Sequence, residues 1–221
     1  MISITIATQW HIRTPGIYRF MPKKYVNEFF ENGRIRLSCF AEFAKHGDEE
    51  KGDCLEGKHI LVGNGSKQTV FAVTGHGNNA YILCGTAILS QDLMTSFGCD
   101  SGIHIKETTA FGVAIGRKLS GLTQGLEGPC YYKSGSIECG IGDFELEQLK
   151  ASSDGKTLDL NKLGGFVLNM AGAAVFFKKL PSYQHQSEYR FVWVVDHEVS
   201  APLAIECPEA RQFCEKIDFA A

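Results

Sequence analysis

The sequence has no apolar run long enough to cross a bilayer, so it offers no membrane-spanning helix. Its 8 cysteines include no C-x-x-C pair, the tight spacing that a structural zinc site wants. Its 7 histidines form no H-E-x-x-H or similar ligand pattern. The loop GHGNN lacks the Lys and Ser/Thr of a P-loop, and GNGS does not complete a dinucleotide fingerprint. Charge of one sign is also scarce: the formal net charge is -3, which gives no bulk pull toward nucleic acid or an anionic membrane, though a local basic groove is compatible with it. The opening MISITIATQWHIRTPG has no basic start, greasy block and small-residue cleavage site. No signal peptide is therefore expected, and a cytoplasmic chain with free thiols is. The acidic residues Glu42, Asp48, Glu49, Glu50 and Asp53 follow no coordinating spacing and read as a solvated face, so no metal site is expected.

What is present is ordinary globular chemistry. The chain has 221 residues with 44% apolar content, enough for one well-filled core, and the expectation is a single domain over residues 1–221. ISITIA and TPGIYRF read as short strands. Pro22 opens a helical stripe of Tyr25, Val26, Phe29 and Phe30 that Gly33 stops. RIRLSCF alternates as a strand, with Ile35, Leu37 and Cys39 on one face and Arg34, Arg36, Ser38 and Phe40 on the other. KHILVG, QTVFAVTG and AYILCGTA read as strands, SQDLMTSF as a short helix, GIHIK as a strand and TTAFGVAIGRKLSG as a helix. PCYYK and SIECG read as a hairpin through Ser134 and Gly135. DFELEQLK reads as a strand or a helical turn, and LNKLGGFVLNMAGAAVFFKKL as a helix, surest in its last part. EYRFVWVVD is the strongest strand, and the tail offers a short strand and a small helix. This order points to α+β rather than a βαβ repeat.

Glu188 is the polar residue that most needs a reason. On its strand it shares a face with Arg190, Val192 and Val194, and a carboxylate there is costly to bury unpaired. One reading is an ion pair with Arg190 or another neighbour. The other is a carboxylate at the rim of a cleft, set to orient a sugar hydroxyl or to stabilise positive charge on a sugar ring. Gln186, two residues earlier, projects from the same side if the strand extends that far. Arg19 and Arg36 suit phosphate, because a guanidinium fork matches two oxygens, and they equally suit the surface. Ser38 shares a face with Arg36, and its hydroxyl suits a sheet group or a ligand hydroxyl.

The block IYRFMPKKYVNEFFENGRIRLS resembles the opening of ADP-ribosyltransferase-fold proteins, especially the DarT toxin family, which modifies DNA. The matching features are Tyr18-Arg19-Phe20, the helix from Pro22 to Asn32, Gly33, and the strand from Arg34 to Phe40 with Ser38. The late block QSEYRFV resembles the final strand of the same families, whose glutamate is catalytic; Glu188 matches it, and Gln186 sits where arginine-modifying relatives place the first member of a Gln/Glu-x-Glu pair. The chain also resembles a broad bacterial family that pairs an LYRF...ENGxIxLS opening with an FFK...E-YR block. Arg19 stands where the DarT-like pattern has histidine, which moves the pattern toward the Arg-Ser-Glu class. The Asn-Asp-Pro turn of the broad family is absent from AEFAKHGDEE, and residues 57–150 have no counterpart.

The resemblance implies an ADP-ribosyltransferase-like core of two small, mostly antiparallel sheets flanked by helices. It implies NAD as ADP-ribose donor and a macromolecular acceptor, nucleic acid or protein. Glu188 would be catalytic, with Gln186 positioning the acceptor, and Arg19, Arg36 and Ser38 would contact the donor. Tyr25, Phe40 or Tyr183 would stack on nicotinamide, with Phe40 favoured by sharing the face of Arg36 and Ser38. Family context adds a toxin or antiphage effector with an antitoxin or regulatory partner. Two other readings stay open: a non-catalytic ligand- or nucleic-acid-binding module of the same fold, and a metal-dependent nuclease, which would need further carboxylates converging on Glu188.

Overall fold

The computed structural model of the chain describes residues 3–6, 16–43, 58–64, 69–75, 77–135, 137–140 and 172–217. In chain order, β1 (Ser3–Ile6) and β2 (Ile17–Met21) lead into α1 (Lys23–Asn32), β3 (Arg34–Cys39) and the single turn α2 (Phe40–Phe43). Next come β4 (Lys58–Asn64), β5 (Thr69–Gly75), β6 (Ala80–Thr86), α3 (Gln91–Ser96), β7 (Ser101–Ile105), α4 (Thr108–Gly116), β8 (Leu122–Pro129), β9 (Tyr131–Tyr132) and β10 (Ile137–Gly140). The last strands are β11 (Lys178–Lys179), β12 (Glu188–Val195), β13 (Leu203–Glu206) and β14 (Cys214–Ile217), with 3-10 turns at Gly172–Phe176, Pro181–Gln186 and Pro208–Phe213. The fold is mixed α+β, with a large, mostly antiparallel sheet and few helices. None of the described helices is long and apolar enough to cross a membrane.

The chain divides into two compact units. The smaller comprises Gly57–His76 and Ser134–Phe176 and holds a three-stranded sheet in the order β10-β4-β5. The larger comprises Met1–Glu56, Gly77–Lys133 and Phe177–Ala221. Within it nine strands join one sheet, and β11 pairs with β9 in a short parallel ribbon.

The large sheet forks. β12 runs antiparallel between β8 and β6, and its whole length is paired. The other edge of β6 is shared. β3 pairs with its first half, Ser38 opposite Ile82 and Cys39 opposite Tyr81, while β2 reaches only its end, Tyr18 opposite Thr86. β13 continues from β3, and β7 and β14 continue from β2. Among the described residues no strand partner covers Leu83, Cys84 or Gly85 on that edge. The fork thus joins into one sheet what the family resemblance leads one to expect as two small ones.

Sequence pattern explains the limbs of the fork. On β12, Tyr189, Phe191 and Trp193 point into the main core, with Phe191 and Trp193 stacked at 5.8 Å. α1 lays Val26 and Phe29 on that core, and α4 adds Phe111 and Ile115. α1 stops at Gly33, which adopts a left-handed φ of 79° and donates its N–H to the Phe29 carbonyl at 2.8 Å. A β-carbon there would lie 2.3 Å from the Pro208 nitrogen, so the position excludes other residues on both counts. At the fork itself, a β-carbon on Gly85 would lie 2.9 Å from the Tyr18 carbonyl oxygen, so glycine lets β2 come in close.

The structure departs from the sequence pattern at several elements. Tyr131–Tyr132 and Ile137–Gly140 do not pair as a hairpin; β9 pairs with β11 and β10 with β4, both in parallel. The end of the expected helix near 172–180 is a 3-10 turn followed by β11. Phe40 leaves the strand before its alternation would place it beside Ser38. It begins α2 and is buried against Gly77, where a β-carbon would lie 2.0 Å from its ring. DFELEQLK and the first part of the expected helix lie outside the described residues.

Candidate active site

A cleft of about 860 Å³ opens at the fork. Ligand sites run to roughly 300–1,000 Å³, so this one is sized for a nucleotide-scale molecule. β2 supplies Tyr18 and Arg19, β3 supplies Arg36 and Ser38, β6 supplies Cys84 to Thr86, and Lys179, Gln186, Glu188 and Arg190 also line it. Among the described residues six Lys or Arg line it against three Glu, an excess of three positive charges in a chain whose net charge is -3. Such a cleft favours an anionic ligand.

Arg19 fills the gap in the sheet. Its Nη1 donates to the Cys84 carbonyl at 2.5 Å, in the stretch of β6 that neither β2 nor β3 covers. Its buried Nε has no hydrogen-bond partner among the described residues. Burial pulls the guanidinium below its ordinary value and the Cys84 and Cys99 thiols oppose this, but a guanidinium keeps its charge in a protein. Arg36, half exposed at the mouth, pairs with Glu42. Arg34 lies 3.7 Å from Glu28, also near the surface. Exposed pairs of this kind contribute about 1 kcal/mol or less.

The same cleft is also lined by a buried ion cluster. Glu188 Oε1 accepts from Arg190 Nε at 2.5 Å and Oε2 from Lys179 Nζ at 2.5 Å. Lys179 Nζ also donates to Gln186 Oε1 at 3.2 Å and lies 4.4 Å from the centre of the Tyr183 ring. Burial alone would push the Glu188 carboxyl up; Arg190 and Lys179 overcome it and hold the group at about 2. The Glu188 N–H donates to the Tyr132 hydroxyl at 2.7 Å. Burial pushes that phenol up to about 12 and likewise raises the Cys84 and Cys130 thiols, so all three stay protonated at neutral pH.

Gln186 is not on the strand. It closes the 3-10 turn Pro181–Gln186, and Ser187 then takes a left-handed conformation, φ 43° and ψ 48°, before β12 begins. Gln186 meets Glu188 through Lys179 rather than by strand alternation. Thr86 secures the turn by donating its hydroxyl to the Gln186 carbonyl at 2.7 Å.

No family model, curated protein or solved structure matches the chain. Arg19, Arg36, Ser38, Tyr25, Gln186 and Glu188 all line the one cleft. Tyr25 is exposed there with Lys24 Nζ 4.6 Å from its ring centre. Phe40 is in the core instead, and Tyr183 stands behind Lys179. Lys179, Cys84 and Tyr132 were invisible to sequence reasoning.

The cluster of Lys179, Arg190 and Glu188 carries a net charge of +1. It still offers an acceptor, because a carboxylate has about four lone-pair sites and Lys179, Arg190 and the Cys84 thiol occupy three of them. Among the described residues no three His, Cys, Asp or Glu side chains converge to hold a metal.

Proposed function

We propose that the chain is an NAD-dependent mono-ADP-ribosyltransferase acting on a macromolecular acceptor, nucleic acid or protein, and that its forked sheet is an ADP-ribosyltransferase-like core. The supporting observation is convergence: Arg19, Ser38, Gln186 and Glu188, from distant parts of the chain, line one cationic cleft. Arg19 suits the diphosphate, since its charge is partly buried and its Nε is unpartnered among the described residues. Ser38 sits beside the ribose. Glu188 accepts a hydrogen bond from a ribose hydroxyl and faces the positive charge that grows on the ring as the bond from C1′ to nicotinamide breaks. A nucleophile of the acceptor then forms the new bond to C1′, and its proton passes to solvent. Gln186, held by Lys179, positions that acceptor. Toxin or antiphage activity restrained by an antitoxin is part of the same proposal and rests on the resemblance.

The test is incubation with labelled NAD and separate pools of DNA, RNA and protein. Transfer into one pool, abolished in a folded Glu188→Asp variant, supports the reading; undiminished transfer in that variant removes Glu188 from it. One observation favours a second reading. Both Glu188 oxygens are already met by buried cations, as in a structural ion cluster of a non-catalytic binding module. Calorimetry showing tight NAD binding without any product would favour that module.

A further inference from the structure

We propose that Lys179 is a positioning residue of this site: its ammonium binds the Gln186 amide and the Glu188 carboxylate into one unit and sets the orientation Glu188 presents to the cleft. The proposal rests on the reading of Glu188 as the carboxylate that meets the donor ribose.

The geometry singles Lys179 out. A lysine ammonium is strongly hydrated and rarely buried unless paired. This one is 8% exposed and bridges two residues, Glu188 at 2.5 Å and Gln186 at 3.2 Å. Arg190 already supplies a full countercharge from the same strand as Glu188, through the other carboxylate oxygen. A second cation is not needed for neutrality. What it adds is a second anchor: donors on both oxygens hold the carboxylate plane against rotation. The bond to Gln186 Oε1 also fixes which end of that amide faces away from the lysine.

The element that carries Lys179 is built around Glu188. β11 pairs with β9 so that Lys179 stands opposite Tyr132, and the Tyr132 hydroxyl accepts the Glu188 N–H. One two-residue ribbon therefore grips both the side chain and the backbone of Glu188. Among the described residues, the titratable groups that face Glu188 are Lys179 from β11, Arg190 from β12, Tyr132 from β9, Cys84 from β6 and Cys130 between β8 and β9. The last three are neutral in mild acid, so among these groups Lys179 and Arg190 carry the charge that acts on the carboxylate there.

The test compares Lys179→Met, Lys179→Gln and Lys179→Arg with wild-type protein, measuring labelling from NAD against pH and NAD binding by calorimetry. In Lys179→Met or Lys179→Gln, kcat falls roughly tenfold to a hundredfold, the scale of a small misplacement, while KM for NAD stays nearly unchanged. The acid limb of the profile moves up by about one pH unit or more, because one of two nearby cations is gone. Lys179→Arg keeps the limb at the wild-type pH and recovers part of the rate. A merely structural lysine would lower the amount of folded protein without moving the limb. Should Lys179→Met fail to fold, Lys179→Gln, which can still hydrogen-bond Glu188, carries the comparison. Wild-type kcat and an unmoved limb in either folded variant overturn the role of Lys179 alone. Wild-type protein that neither binds NAD nor transfers from it overturns the reaction and this proposal together.

Discussion

Replacing Glu188 by Gln removes one charge and no volume, and its cost can be worked out from the cluster. The variant leaves Lys179 and Arg190, both buried, facing a neutral amide. Removing one member of a buried ion pair costs about 3–5 kcal/mol. Linkage gives a second route to the size. Holding the carboxyl at about 2 against an ordinary 4.5 corresponds to roughly 3 kcal/mol at about 1.4 kcal/mol per pH unit. The sign follows from the direction of the shift. A carboxyl depressed on folding contributes stability that is fully present above its unfolded value and is lost as pH falls through its folded one. The gap between wild type and Glu188→Gln should therefore be about 3 kcal/mol at pH 7 and shrink between about pH 4.5 and 2. Urea unfolding at pH 7, 5, 4 and 3 measures it. A gap under about 0.5 kcal/mol at pH 7, or one that stays constant down to pH 3, would refute the ion cluster as described.

Three other perturbations test the surrounding structure. Glu127 is buried beneath α4 and accepts from Thr109, with Thr108 and Tyr189 also donating toward it; burial raises its carboxyl against these bonds, so its contribution is present in acid and lost as pH rises. Glu127→Gln should stabilise the protein at pH 7 and not at pH 4, and denaturation showing a loss at pH 7 would contradict this. Ser187→Gly relieves a left-handed serine, worth about 1–2 kcal/mol, against a glycine entropy cost of roughly 0.5–1 kcal/mol. A thermal melt should show an unchanged or slightly raised Tm, and a clear fall would contradict the strain. Gly85→Ala puts a β-carbon 2.9 Å from the Tyr18 carbonyl. It should cost about 1–3 kcal/mol in unfolding experiments, and it should weaken NAD binding by pushing β2 away from β6.

The parts of the fold legible in the sequence are those with a strong local pattern. α1 has its apolar stripe and Gly33, β3 alternates, and β12 is an apolar run with a polar start. These are also the elements that carry Arg19, Ser38 and Glu188 to the cleft, or flank the strands that do. β8 was missed because LTQGLEGP carries two glycines, a proline and little alternation. It is a strand because β12 and β1 pair with it on either side. β9 and β11 are two residues each, too short for any period, and exist through pairing between segments far apart in sequence. Lys179 could not be found from its neighbours for that reason: what keeps it buried is a carboxylate on another strand. Phe40 shows the opposite failure, a period read one residue past the end of its strand.

In the proposed function Glu188 works in a cleft that takes the ADP-ribose donor. The most direct measurement is transfer of label from NAD, carried on its adenylate half, into separate DNA, RNA and protein pools by wild-type protein and by Glu188→Gln under conditions where both are shown to be folded. Label should enter one pool with the wild type and none above background with the variant. No transfer by the wild type into any pool, or equal transfer by both proteins, would contradict it.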